Sequence, residues 1–283
     1  MSAGGPDGPN VPEAAEPAPG HPEITRLVAP NPGPMTLQGT NTYVVGSDPA
    51  WVIDPGPADQ GHIDAVRAEA ESRGGIGAVL LTHSHLDHVE GVAMLGAEVI
   101  WGSSGAIDEG AQLAQAMSRT KVQPVRGSFT AEESHAGPFT VIATPGHARD
   151  HVVFVYGDVC FCGDLILGEG SSIVPPEAAG GSLADYLRSL ECVEELGSDL
   201  FCPGHGPWIT DPAAKIVEYR EHRLEREAKL LAALEAGERS RAALLEAGWS
   251  DVEDSMKPAA ALAMQAHLEK LAGEGMRLNE LEP

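Results

Sequence analysis

Read for its apolar positions, the chain alternates between short β-branched runs and stretches of helical period. Residues 24–29, 40–45 and 51–54 are compact apolar runs separated by Gly/Pro clusters, the pattern of strands joined by tight turns. Residues 58–73 place Ile63, Val66 and Ala70 at helical spacing before Gly74 and Gly75 stop the helix. Residues 76–82 follow as a nearly continuous apolar strand. The same alternation predicts a helix near 107–117, strands over 139–144, 151–156 and 159–163, and a helix over 183–196. Ser182, with Asp185 three residues on, caps that last helix. Mixed strands and helices of this kind predict an α/β core with helices on the outer faces of a sheet. From residue 212 the pattern turns helical and charged, with helices over 213–234, 240–247 and 258–272. We read residues 23–211 as one large domain and 212–283 as a small helical one, without a repeat of solenoid length.

Residues 1–22 are Gly-, Pro-, Ala- and acid-rich with no apolar run, so a disordered tail is expected there. That stretch has neither the basic start nor the apolar centre of a signal peptide, and no run is long and apolar enough to span a membrane, so a cytoplasmic protein is expected. Cys160, Cys162, Cys192 and Cys202 lie in apolar stretches without CxxC pairing, as reduced core thiols do. Cys162 stands two residues before Asp164 and is the one that could share a face with it, small core filler being the alternative. The formal net charge of -24 repels polyanions, which handicaps nucleic acid as a partner and leaves a small-molecule substrate favoured.

The strongest chemical signal is Thr82-His83-Ser84-His85-Leu86-Asp87-His88, placed where an apolar strand ends. Imidazole and carboxylate are zinc donors, and a turn at a strand end can point His83 and His85 one way and Asp87 with His88 another. Two divalent ions side by side, zinc by donor type, are the expected outcome.

Here the sequence resembles the metallo-β-lactamase superfamily. Thr144-Pro145-Gly146-His147, Gly163-Asp164 and Pro203-Gly204-His205-Gly206 follow in that family's order, and Asp54 matches the aspartate that supports the histidine loop. The resemblance implies a four-layer αββα sandwich in which His83, His85 and His147 hold one ion, Asp87, His88 and His205 the other, and Asp164 bridges them. It also implies hydrolysis by a hydroxide shared between the ions. Residues 31–43, 163–172 and 219–223 are similar to the β-lactamase-like protein 2 branch, which implies a winged-helix-like C-terminal domain. Activities around that branch include single-strand endoribonuclease action, and related fungal enzymes are thioesterases.

The expected function is cleavage of a small ester, thioester, lactone or lactam. An endoribonuclease is the alternative, weakened by ten basic against fourteen acidic side chains from residue 213 onward, net -4, where a nucleic-acid-binding helix would show a basic face. Only 58 positions separate His147 from His205, too few for the substrate-binding domain that large nucleases of the superfamily insert there. A non-catalytic interaction protein with structural metal is the third reading, and a homodimer through the C-terminal helices stays open. Seven ligands shared by two ions argue against the third, because structural sites close with four. A redox role is disfavoured, since His85 stands where the superfamily's diiron oxidoreductases carry glutamate. Asp87 could also orient or deprotonate the attacking water, and His151 could support a ligand or donate to an oxyanion. Ser171, Ser172 and His222 read as packing or capping residues before substrate contacts, and His21, His62, His135 and His267 as surface residues. The loops 31–39 and 175–181 are candidate covers for the site.

Overall fold

The computed structural model describes residues 15–101, 122–124, 134–277 and 281. The helix expected near 107–117 lies outside them. One sheet runs β1 (Glu16–Ala18), β2 (His21–Val28), β3 (Asn41–Val45), β4 (Ala50–Ile53), β5 (Ile76–Leu81), β6 (Val99–Trp101) and β7 (Val122–Pro124), in that spatial order. It is antiparallel up to β4 and parallel from β4 onward. The second sheet has the order β12 (Leu200–Pro203), β11 (Val159–Gly163), β10 (Val152–Tyr156), β9 (Phe139–Ala143) and β8 (Ser134–Ala136). Its β11–β12 pair is parallel and the rest antiparallel.

Strand alternation builds the layers, because successive side chains leave a strand on opposite faces. On β3, Tyr43 and Val45 turn inward to meet Phe139, Phe154 and Phe161 of the second sheet. Val44 turns outward with Val52 and Val79 onto Ile63, Val66 and Ala70 of helix α1 (Gln60–Ser72). On β11, Phe161 faces the first sheet, whereas Cys160 and Cys162 face Leu183, Tyr186 and Leu190 of a helix on the far side. The result is an αββα sandwich. Two short helices, α2 (Leu86–Val89) and α3 (Val92–Leu95), follow β5, and the far-side helix is α4 (Leu183–Glu195). The side chain of Ser182 caps α4 by accepting from the Asp185 N–H, as its spacing suggested.

Beyond β12 the described chain is helical: α5 (Pro212–Glu235), α6 (Arg241–Trp249), a 3-10 turn (Asp254–Met256) and α7 (Lys257–Gly273). Helix α5 belongs to two cores at once. Ile216 and Tyr219 pack with α4, while Leu230 and Leu234 pack with Trp249, Met264 and Leu268 of the helices that follow. No helix among the described residues is long and apolar enough to cross a membrane.

Two expectations need correction, and one strand was not anticipated. Glu16–Ala18, inside the stretch read as a tail, pairs antiparallel with β2, because main-chain hydrogen bonding to a sheet edge needs no apolar side chains. His62 and His267 are buried rather than on the surface, the first on the inner face of α1 beside Thr42 and the second against the Trp249 ring. Strand β12 follows an apolar run, Leu200-Phe201-Cys202, too short to stand out by periodicity. The four cysteines are free thiols, and Cys162 is core filler: its Sγ lies 3.3 Å from the Ile166 carbonyl, on the α4 side of the sheet.

Candidate metal centre

Strands β4, β5, β9, β11 and β12 all deliver polar residues from their C-terminal ends, at one edge of the sandwich. Two backbone bonds lace that edge together, Val152 N–H to the Thr82 carbonyl (2.8 Å) and Gly204 N–H to the Gly163 carbonyl (2.8 Å). The side chain of Asn41 donates to the carbonyls of Pro203 and Gly206, and the Tyr43 hydroxyl donates to Pro203, so β3 holds the loop that carries His205.

All seven expected ligand residues converge here. Donor atoms of His83, His85, His147 and Asp164 lie within 4.8 Å of one another, and so do those of Asp87, His88 and His205. Asp164 stands between the groups. Its Oδ1 is 3.6 Å from His88 Nε2, and its Oδ2 is 3.7 Å from His147 Nε2 and 3.4 Å from His205 Nε2.

The imidazoles are oriented from behind. His147 Nδ1 lies 2.8 Å from the Ile173 carbonyl and His205 Nδ1 lies 3.1 Å from the Gly39 carbonyl. A carbonyl can only accept, so each Nδ1 is the donor there and Nε2 is aimed at the centre. His88 Nδ1 is held 2.9 Å from Asp54 Oδ2. Asp54 has φ +48° and accepts from the Thr82 N–H (2.8 Å) and hydroxyl (2.7 Å), so one buried carboxylate fixes both ends of the histidine loop.

Burial pushes the pKa of His83 well below the ordinary value, with His88 and His85 adding repulsion. Burial also lowers His85, and it takes His147 to about 4 against the pull of Asp164. His88 goes the other way: burial opposes its charge, but Asp54, Asp164 and Asp87 outweigh burial. His205 is lifted to about 9 as Asp164 overcomes burial, and Asp87 falls to about 2 because His88 and His205 overcome its own burial. Three neutral imidazoles beside ionised carboxylates form a set of lone pairs suited to cations.

His151 is fully buried behind the cluster, its ring 5.2 Å from that of His83 and its Nδ1 2.8 Å from the Thr144 hydroxyl. It is not among the residues that line the cavity at the metal centre, and its Nε2 is buried without a hydrogen-bond partner. That cavity, of about 220 Å³, opens on His147 and Asp164 and is walled by Met35, Leu37, Leu167 and Ser171. Loop 31–39 thus forms one wall of the site. Loop 175–181 does not reach it and is tied instead to α7 through Glu177 N–H and Glu269 (2.9 Å).

Sequence reasoning passed over Arg223, which is buried and donates to the Ser172 carbonyl. The Ser172 hydroxyl in turn donates to the Asp164 carbonyl (2.6 Å) and lies 3.2 Å from His147 Nδ1. The available signal was the Tyr219-Arg220-Glu221-His222-Arg223 run itself.

Residues 35–205 match the family model described as the metallo-beta-lactamase superfamily. A beta-lactamase-like protein 2 homolog from Drosophila melanogaster is 32% identical over 89% of this chain and 88% of its own. The chain belongs to the metallo-beta-lactamase superfamily, in its β-lactamase-like protein 2 branch. An atrochrysone carboxyl ACP thioesterase from Aspergillus chevalieri is 34% identical over 92% of the chain and 84% of its own length. Among solved structures, a metallo-beta-lactamase family protein from Thermus thermophilus superposes with a TM-score of 0.68 at 23% identity, covering 90% of this chain and 94% of that one. This last likeness speaks for the fold alone.

Proposed function

We propose that this superfamily member is a dinuclear metal-dependent hydrolase of a small ester, thioester, lactone or lactam. The observation that carries the reading is the convergence of seven donor side chains, two of which, His147 and Asp164, line a cavity walled in part by Met35, Leu37 and Leu167. The residues fit divalent ions. His88 Nε2 and Asp164 Oδ1 are buried without a hydrogen-bond partner, and His85 Nδ1 stands 2.9 Å from His83 Nε2 and 3.0 Å from His147 Nε2. One proton cannot satisfy three such nitrogens, whereas a cation takes all their lone pairs. His83, His85 and His147 would hold one ion and Asp87, His88 and His205 the other, with Asp164 shared. When bound, two such ions, zinc by donor chemistry, polarise a substrate oxygen and lower the pKa of water.

The chain's own groups do the rest. Asp87, kept ionised and lying 3.4 Å from the Thr40 hydroxyl, would take a proton from the attacking water. Asp54 and Thr82 hold the histidine loop, and Met35, Leu37 and Leu167 offer an apolar bed to an acyl group. The cavity wall carries Glu169 and Asp164 and, among the described residues, no lysine or arginine, which disfavours a phosphodiester polyanion. The similarity to a thioesterase-named relative supports a carbonyl substrate.

Turnover of acyl thioesters, lactones and nitrocefin, set beside labelled single-stranded RNA at low salt, tests the reading. Carbonyl substrates are expected to be cleaved and His85→Ala to abolish cleavage while the far-UV spectrum is retained. Cleavage of RNA alone, or retained turnover in that variant, would overturn it.

A further inference from the structure

A second cavity of about 220 Å³ adjoins the first. The two share Ser171, Ser172, Ile173 and Met256, so the segment following Asp164 is common wall to both. Past that wall the second cavity lies against the C-terminal helices, lined by Trp249, Val252, Ala259 and Ala263 together with Ile173 and Met256. Its two arginines are anchored by hydrogen bonds, with Arg223 Nε alone left buried without a partner, and His222 also lines it. Arg226 forms a two-pronged pair with the Asp251 carboxylate and also donates to the Gly248 carbonyl, and Arg223 donates to Ser172. What remains is an apolar space beginning where the metal-centre cavity ends.

We propose that this space is a specificity pocket for an apolar arm of the substrate, so that the scissile carbonyl sits at the metal centre while a chain or ring runs past Ser171–Ile173 to the C-terminal helices. The position of the carbonyl rests on the hydrolase reading above; the pocket's preference for an apolar arm does not. An apolar cavity of about 150 Å³ takes up benzene, so this one has room for a ring or a chain of roughly six to eight carbons. Each methylene moved from water into it improves binding about fourfold. The alanines of α7 are what keep the space open: a larger side chain there projects into it.

Two measurements test this. The first is KM for N-acetylcysteamine thioesters from acetyl to decanoyl. It should fall about fourfold per methylene until the pocket is full, at roughly octanoyl. Ala259→Phe should remove the gain for long chains while acetyl turnover stays unchanged. Val252→Phe, at another half-buried position, should do the same and guards against a folding defect in the first variant. The second is calorimetric binding of the non-hydrolysable S-octyl and S-ethyl thioethers of N-acetylcysteamine to the protein with its metals. The octyl compound should bind at least about tenfold more tightly, and either variant should erase the difference. If the octyl preference appears without turnover of any thioester, ester, lactone or lactam, the pocket stands and the hydrolase reading falls. Equal binding of both thioethers, or a chain-length preference untouched by both folded variants, overturns the pocket.

Discussion

Asp54→Asn is the sharpest probe of how the histidine loop is held. The native carboxylate accepts three hydrogen bonds, from the Thr82 N–H and hydroxyl and from His88 Nδ1, at 2.7–2.9 Å. Asparagine has nearly the same shape but only one acceptor oxygen. If that oxygen takes the Thr82 N–H, the amide NH₂ faces His88 Nδ1, which must then surrender its proton to Nε2 and lose the lone pair needed for a metal. If the amide is turned over, the NH₂ meets the Thr82 N–H instead, donor against donor. The second arrangement leaves a buried donor unsatisfied, at about 1–3 kcal/mol. The first disorganises a ligand from behind, an effect of about 10–100-fold in metal affinity, or about 1.4–2.7 kcal/mol. Competition against a chromophoric chelator should show weakened zinc binding at one of two sites. Urea unfolding in EDTA should show a loss of about 1–3 kcal/mol. Two equivalents bound with unchanged affinity would refute the argument.

Three further perturbations bear on separate parts of the account. His62, whose pKa burial lowers to about 4, stays neutral in the folded chain at pH values where the unfolded chain protonates near 6.5. Its contribution is full above pH 6.5 and is lost as pH falls toward 4, so the metal-free wild type should lose about 2 kcal/mol more stability between pH 7.5 and 5 than His62→Gln. Parallel pH profiles in urea titrations would exclude this. A Cβ on Gly204 would lie 2.2 Å from Asp164 Oδ1 and 2.8 Å from His88 Cε1, so Gly204→Ala should displace the carboxylate and weaken metal binding at least about tenfold, which a chelator titration reads directly. Arg223→Met removes the donor to the Ser172 carbonyl and, through Ser172, support for Asp164 and His147. It should cost about 1–3 kcal/mol in unfolding and weaken metal binding as well, whereas a purely local role would lower stability alone.

The legibility of the site follows from where its information resides. His83, His85, Asp87 and His88 declare themselves because four ligand-type side chains share one strand end, whereas His147, Asp164 and His205 are isolated in the chain and acquire meaning only as members of a family pattern. The runs that became β3 and β11 could be read as strands, but their inner and outer faces could not, because a strand buried on both sides by different partners reads as a continuous apolar run without alternation. Arg223 could not be read in the same way. Its partner is a carbonyl 51 residues away, and a carbonyl leaves no trace in residue type. His62 was misplaced for a related reason: its burial depends on Thr42, whose hydroxyl donates to the Asp54 carbonyl and sits 2.8 Å from the ring. The burial of His151 beside the His83 ring is likewise something its spacing from His147 does not encode.

The central claim is that two ions share the seven converging side chains. Equilibrium titration of the metal-free chain with zinc, read by elemental analysis after gel filtration, measures this most directly. Two equivalents per chain are expected, one lost in His205→Ala and the other strongly weakened in His147→Ala. A single equivalent in the unmodified protein, or two equivalents retained in both variants, would contradict it.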